Sequence, residues 1–160
     1  MTAEDKKHLI KLLTDSHSAT RAAIEGVNPE LPVYQESGWR IRDIIGHLAT
    51  WDQQVTKSLR AFQAGMEYAI PDLDEDSFNE RSIKEQGALT AEQVYAEYEV
   101  SREDFIRVVE EIPDELYPGD VLYAWGDERG SIAQLVKYMT DHDAEHREEI
   151  EKAVQAAKEV

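Results

Sequence analysis

Two imidazoles stand four residues apart in Asp141-His142-Asp143-Ala144-Glu145-His146. They interrupt a stretch whose apolar residues, Ile132, Leu135, Val136, Met139 and Ile150, recur at helical spacing. Four residues make about one helical turn, so both side chains leave one face with their roots about 6 Å apart, near enough to share an ion. Neutral imidazole is the commonest ligand for first-row divalent metals, and a catalytic site normally uses three protein ligands and keeps one position open. The chain has no cysteine, so a third ligand must come from His, Asp or Glu. His47, three residues after Ile44 and four before Trp51 on the edge of another apolar stripe, is the obvious one. Three imidazoles with an open fourth position could lower the pKa of a bound water or thiol, which is hydrolytic or transfer chemistry. There is no Gly-x-Ser-x-Gly, phosphate loop or dinucleotide fingerprint. The acidic run Asp72 to Asp76 lacks the glycine and terminal glutamate of a calcium loop and reads as a solvated connection.

The elements that must position these residues read as helices. A first helix is predicted from a Thr2 N-cap to Glu25, with Leu9, Leu13 and Ile24 inward and His17 on the same side. A second begins near Trp39, carries Ile41, Ile44, Ile45, Leu48, Trp51, Val55, Leu59 and Phe62, and closes at Gly65. Residues 66 to 88 form a long acidic connection with one short helix around Phe78 to Gln86. A third long helix opens on a Thr90/Gln93 capping box, buries Val94, Tyr98, Phe105, Val108 and Ile112, and stops at Pro113. The segment from Tyr117 to Gly130 is too rich in turn residues for a helix. A fourth long helix starts at Ser131, with Gln134 completing a second capping box, and runs through the histidine pair towards Ala157.

At 1.5 Å per residue, His47 lies about 12 Å into the second helix, and His146 and His142 lie about 16 and 22 Å from the end of the fourth. All three reach a similar height if those helices run antiparallel. His17, Trp51 and Tyr98 are the expected pocket residues near that height. Tyr123 and Trp125 precede the start of the fourth helix, about 16 Å below His142, and are expected at the opposite end of the bundle.

With 160 residues the chain fits one domain, residues 1–160. Its 34 acidic residues against 17 basic ones give a formal charge of -17. Such a surface repels phosphate backbones and anionic lipid, so nucleic acid and membranes are excluded as partners. The chain carries neither a signal-like apolar run nor a membrane span, which points to a cytoplasmic protein.

The segment Trp39-Arg40-Ile41-Arg42-Asp43-Ile44-Ile45-Gly46-His47-Leu48-Ala49-Thr50-Trp51, followed by His142 and His146, resembles the DinB/YfiT-like superfamily, whose members carry Trp-x₇-His early in helix two and His-x₃-His in helix four. The resemblance covers nearly the whole chain. It implies an all-α four-helix bundle in up-down-down-up order with a long crossover between helices two and three. It also implies a divalent metal, nickel or zinc, on His47, His142 and His146, and a homodimer. Relatives include mycothiol-dependent maleylpyruvate isomerases and bacillithiol S-transferases, so a low-molecular-weight thiol is a further expected cofactor. A more distant group, the colibactin self-resistance proteins, shares the bundle without needing the triad. Arg40 departs from the pattern, since many relatives have a Ser or Thr cap there, and a weaker cap on helix two is expected. The function implied is a metal-dependent S-transferase or hydrolase acting on a small electrophile; the alternative is a non-catalytic metal-binding or stress-response bundle.

Overall fold

The computed structural model describes residues 3–159, so the expected Thr2 cap lies outside the described residues. Four long helices, α1 (Ala3–Ile24), α2 (Ile41–Gln63), α4 (Ala91–Glu111) and α5 (Ile132–Lys158), form the bundle, and a shorter α3 (Glu75–Gln86) lies in the crossover. Asp74 starts α3 several residues earlier than periodicity suggests, because its carboxylate accepts the Ser77 N–H. Thr90 and Gln93 form the expected capping box at α4. Gly65, at φ 75, takes the left-handed conformation just beyond the end of α2.

Arg40 does not leave α2 without a cap. Its side chain has no acceptor, but the Asp43 carboxylate accepts both the Arg40 backbone N–H and its guanidinium, at 2.9 Å each. At α5 only half of the expected box forms. Ser131 Oγ accepts the Gln134 N–H at 3.1 Å, while the Gln134 amide donates to Glu128 and Tyr138 instead.

Cross-helix bonds show the order of the chain. The starts of α2 and α4 meet where the Arg42 guanidinium donates to the Leu89 carbonyl, and their ends meet at Arg60–Glu111, 2.6 Å, so the two run parallel. Lys6 of α1 reaches the Ile112 carbonyl at 2.6 Å and His17 reaches Glu99 at 2.8 Å, so α1 is antiparallel to α4. Ser16–Asp143 and Thr20–Arg147 advance together, so α1 and α5 are parallel. The result is up-down-down-up, with α3 in the long crossover that two parallel helices require.

The expected loop after α4 contains a turn of 3₁₀ helix, Asp114–Leu116, and a small hairpin of β1 (Val121–Leu122) and β2 (Arg129–Gly130). Tyr123, fully buried in this hairpin, donates to the Ser131 carbonyl at 2.6 Å. The core has two clusters. One is built on Leu13, Val55, Leu59, Phe105, Val108 and Leu135, the other on Ile41, Ile44, Ile45, Leu48, Tyr98 and Ile150. Each fully buried aliphatic side chain contributes about 1.5–3 kcal/mol.

Candidate metal centre and its cleft

The three histidines converge. His142 Nε2 lies 3.0 Å from His47 Nε2 and 3.0 Å from His146 Nε2, and the rings stand nearly edge to face at centroid distances of 4.6–5.0 Å. Nitrogens bound tetrahedrally at ~2.0 Å to one ion sit about 3.3 Å apart, close to the two 3.0 Å separations, and the ligand nitrogens of all three rings lie within 4.8 Å of one another. Among the described residues this is the one group of three or more His, Asp or Glu side chains placed to hold an ion. Burial, reinforced by the neighbouring imidazoles, lowers His47 to about 2 and His142 to about 4. Both rings are therefore neutral near pH 7, the form that ligates.

A further layer orients them. The Glu149 carboxylate lies 2.6 Å from His146 Nδ1 and accepts the Tyr34 hydroxyl at 2.7 Å. A proton on Nδ1 facing that carboxylate leaves the Nε2 lone pair turned towards His142. Burial, then the Glu149 hydrogen bond, pushes the Tyr34 phenol well above its ordinary value, so it remains a donor. Trp39 packs on His47 with ring centroids 5.3 Å apart. Sequence reasoning missed Tyr34 and Glu149. A glutamate three residues after His146, on the same helical face, was the available signal for Glu149; Tyr34 sits in an irregular loop and had none.

The register that brings α2 and α5 together is held by a buried ionic network. Arg102 of α4, fully buried, donates to Asp52 at 2.8 and 3.2 Å and to Asp143 at 3.1 Å. Asp143 also accepts Ser16 Oγ at 2.7 Å, and the Arg147 guanidinium caps Ser16 at 2.8 Å. All four long helices thus meet at one point. Asp143 adjoins His142, and Asp52 lies five residues after His47, so the network sets the height at which the histidines face each other. Burial opposes the charge on Arg102, but the two carboxylates outweigh it and hold the guanidinium well above its ordinary value. The Arg102 guanidinium lies 5.8 Å from both the Tyr98 and the Phe105 rings, between the two core clusters.

A cleft of about 390 Å³ opens on His47 and His142. Trp51 lines it, with its indole N–H bonded to Asn79 of α3 at 2.8 Å. Trp125 lines it too, which corrects the expectation that this residue packs at the far end of the bundle. The height estimate followed the chain to the start of α5, but the hairpin turn folds back along that helix. Trp125 sits 6.1 Å from the Tyr138 ring, and Tyr138 lies only one turn before His142. The hairpin is held there by a 2.8 Å bond from the Ile70 N–H to the Ala124 carbonyl. Tyr98 and His17 lie elsewhere. Their rings pack at 5.0 Å on the α1–α4 side, and Tyr98 lines a different cleft, with Arg21 and Glu99. Helical phase turned them inward as expected, but towards the α1–α4 seam rather than the α2–α5 seam that carries the triad.

The sequence signature of the DinB superfamily matches residues 5–150. The chain belongs to the DinB superfamily. Among solved structures, YfiT from Bacillus subtilis, described as a probable metal-dependent hydrolase with an unusual four-helix bundle topology, is 16% identical with a TM-score of 0.78. The match covers 99% of this chain and 90% of that one. The mycothiol-dependent maleylpyruvate isomerase is 14% identical with a TM-score of 0.74 over 91% of this chain, and the match spans 60% of the isomerase's length. An uncharacterised protein from Clostridium difficile 630 is 12% identical with a TM-score of 0.73, covering 97% and 98% of the two chains. At these identities the likeness is one of fold. No curated protein sequence gives a significant match. Among the described residues no helix is long and apolar enough to cross a membrane.

Proposed function

We propose that this DinB superfamily chain is a divalent-metal-dependent enzyme, an S-transferase or hydrolase acting on a small electrophile. The observation that carries the reading is the gathering of three imidazoles, their ligand nitrogens within 4.8 Å of one another, two of them lining an open cleft. His47, His142 and His146 would hold the ion, nickel or zinc, and Glu149 would fix the third imidazole. When bound, such an ion supplies Lewis acidity and lowers the pKa of a water or thiol. The chain's own residues supply the rest. Trp51 and Met139 wall the cleft beside the triad, and the amide of Asn79 fixes the Trp51 indole.

The test starts with elemental analysis of the purified protein, expected to give one nickel or zinc per chain in the wild type and none in His146→Ala. The loaded protein is then offered low-molecular-weight thiols with model electrophiles, and activated esters alone. Turnover that vanishes in His146→Ala supports the reading. Stoichiometric metal without turnover on any of these would favour the non-catalytic alternative. Pairing of two chains, implied by the family, is read out by light scattering.

A further inference from the structure

The lining of the cleft bears on what enters it. Beyond the triad its wall is Trp125 and Tyr138, and its rim is Glu75 and Asp76 from the first turn of α3. A second cleft of about 480 Å³ shares Glu75, Asp76 and Trp125 with the first and adds Asp127 and Glu128. Sharing these three residues, the two clefts are adjoining parts of one trough lined by Trp125. No lysine or arginine lines either part. The nearest guanidinium along the chain, Arg129, is taken up by Glu67 and Asp120.

The aromatic corner is built rather than incidental. The Glu128 carboxylate accepts the Trp125 indole N–H at 3.1 Å and the Tyr138 hydroxyl at 2.7 Å, which fixes the two rings at 54° to each other. The corner lies about one helical turn, roughly 6 Å, from His142 along α5. Two ring faces with carboxylates on either side attract a cation, by their quadrupoles and by direct charge, and repel an anion.

We propose that the cleft selects a substrate carrying a positively charged group, an ammonium or alkylated ammonium, which seats on the Trp125–Tyr138 corner while its reacting atom reaches the triad. The inference rests on the triad cleft being the substrate site. It also restricts any thiol that works here to one without free carboxylates on the part that enters the trough.

The test uses binding and needs no turnover. Benzyltrimethylammonium and phenylacetate, matched in ring and opposite in charge, are titrated into the wild-type protein with the indole N–H resonances as readout. The cation is expected to bind at least about tenfold more tightly at low salt and to shift the Trp125 signal, with the preference shrinking as salt rises. The exposed pair Glu75→Gln/Asp76→Asn is expected to weaken cation binding several-fold while metal content stays at the wild-type level. Trp125→Leu should weaken it as well. Equal or tighter binding of phenylacetate overturns the proposal, as does cation affinity unchanged within about twofold in the charge variant. Metal analysis runs in parallel. A protein that binds the cation as described but holds no metal sinks the metal-enzyme reading alone; one that holds metal and ignores charge sinks this inference alone.

Discussion

Replacing Arg102 with Met removes one cation and strands two carboxylates. Asp52 and Asp143 have about 1% of their side chains exposed, and among the described residues the Asp52 carboxylate accepts its hydrogen bonds from Arg102. Asp143 keeps Ser16 and, through it, Arg147. The folded chain can relieve the repulsion by protonating one carboxyl. At pH 7 that costs about 1.4 kcal/mol for every unit above the ordinary carboxyl value of about 3.9, or about 4 kcal/mol. This falls within the ~3–5 kcal/mol typical of breaking a buried ion pair from one side. Urea unfolding followed by circular dichroism should therefore show Arg102→Met losing about 4 kcal/mol. Removing the whole network, as Asp52→Leu/Arg102→Met/Asp143→Leu, should recover most of that loss, because no buried charge is left unpaired. A loss under about 2 kcal/mol for the single variant, or a triple variant no more stable than the single, would refute the reasoning. The triple variant should still bind metal more weakly than wild type, since nothing then sets the relative height of α2 and α5.

Glu149→Gln should lower metal affinity by about 10- to 100-fold with little change in melting temperature, read by competition with a chelating dye; unchanged affinity would remove Glu149 from the site. Trp125→Ala should leave metal content at the wild-type level, measured by elemental analysis, because its ring packs on Tyr123 and Tyr138 in the cleft wall. The metal-free protein should lose stability as pH falls from 6.5 towards 4. Above that window His47 and His142 are neutral in both states; within it the unfolded chain takes protons that the folded rings, lowered to about 2 and about 4, refuse. The slope should reach about 1.4 kcal/mol per pH unit for each ring and diminish in His142→Gln, measured by thermal unfolding; a slope the same in both proteins would contradict the burial of His142.

The four long helices and the three histidines were legible in the chain because their signals are local. Residues four apart in a helix share a face wherever the helix packs, so His142 and His146 had to be neighbours. Thr90 and Ser131 mark helix starts because a capping oxygen satisfies N–H groups within three residues of it. The buried network was half legible. Asp52 falls in phase between Leu48 and Val55, Arg102 between Tyr98 and Phe105, and Asp143 between Met139 and Ile150, so each charge stands in an apolar stripe. That the three meet is a matter of register between helices.

Tertiary structure alone decided the rest. Helical phase turns Tyr98, His17 and Trp51 inward alike, but only packing determines which seam each faces, and it sends the first two away from the triad. Tyr34 reaches Glu149 from a loop that carries no periodicity to read. Trp125 lies six residues before the start of its nearest helix, at Ser131, and distance along the chain placed it far from His142. A hairpin is free to fold back along the helix it precedes, and contacts made through space put that indole in the wall of the cleft.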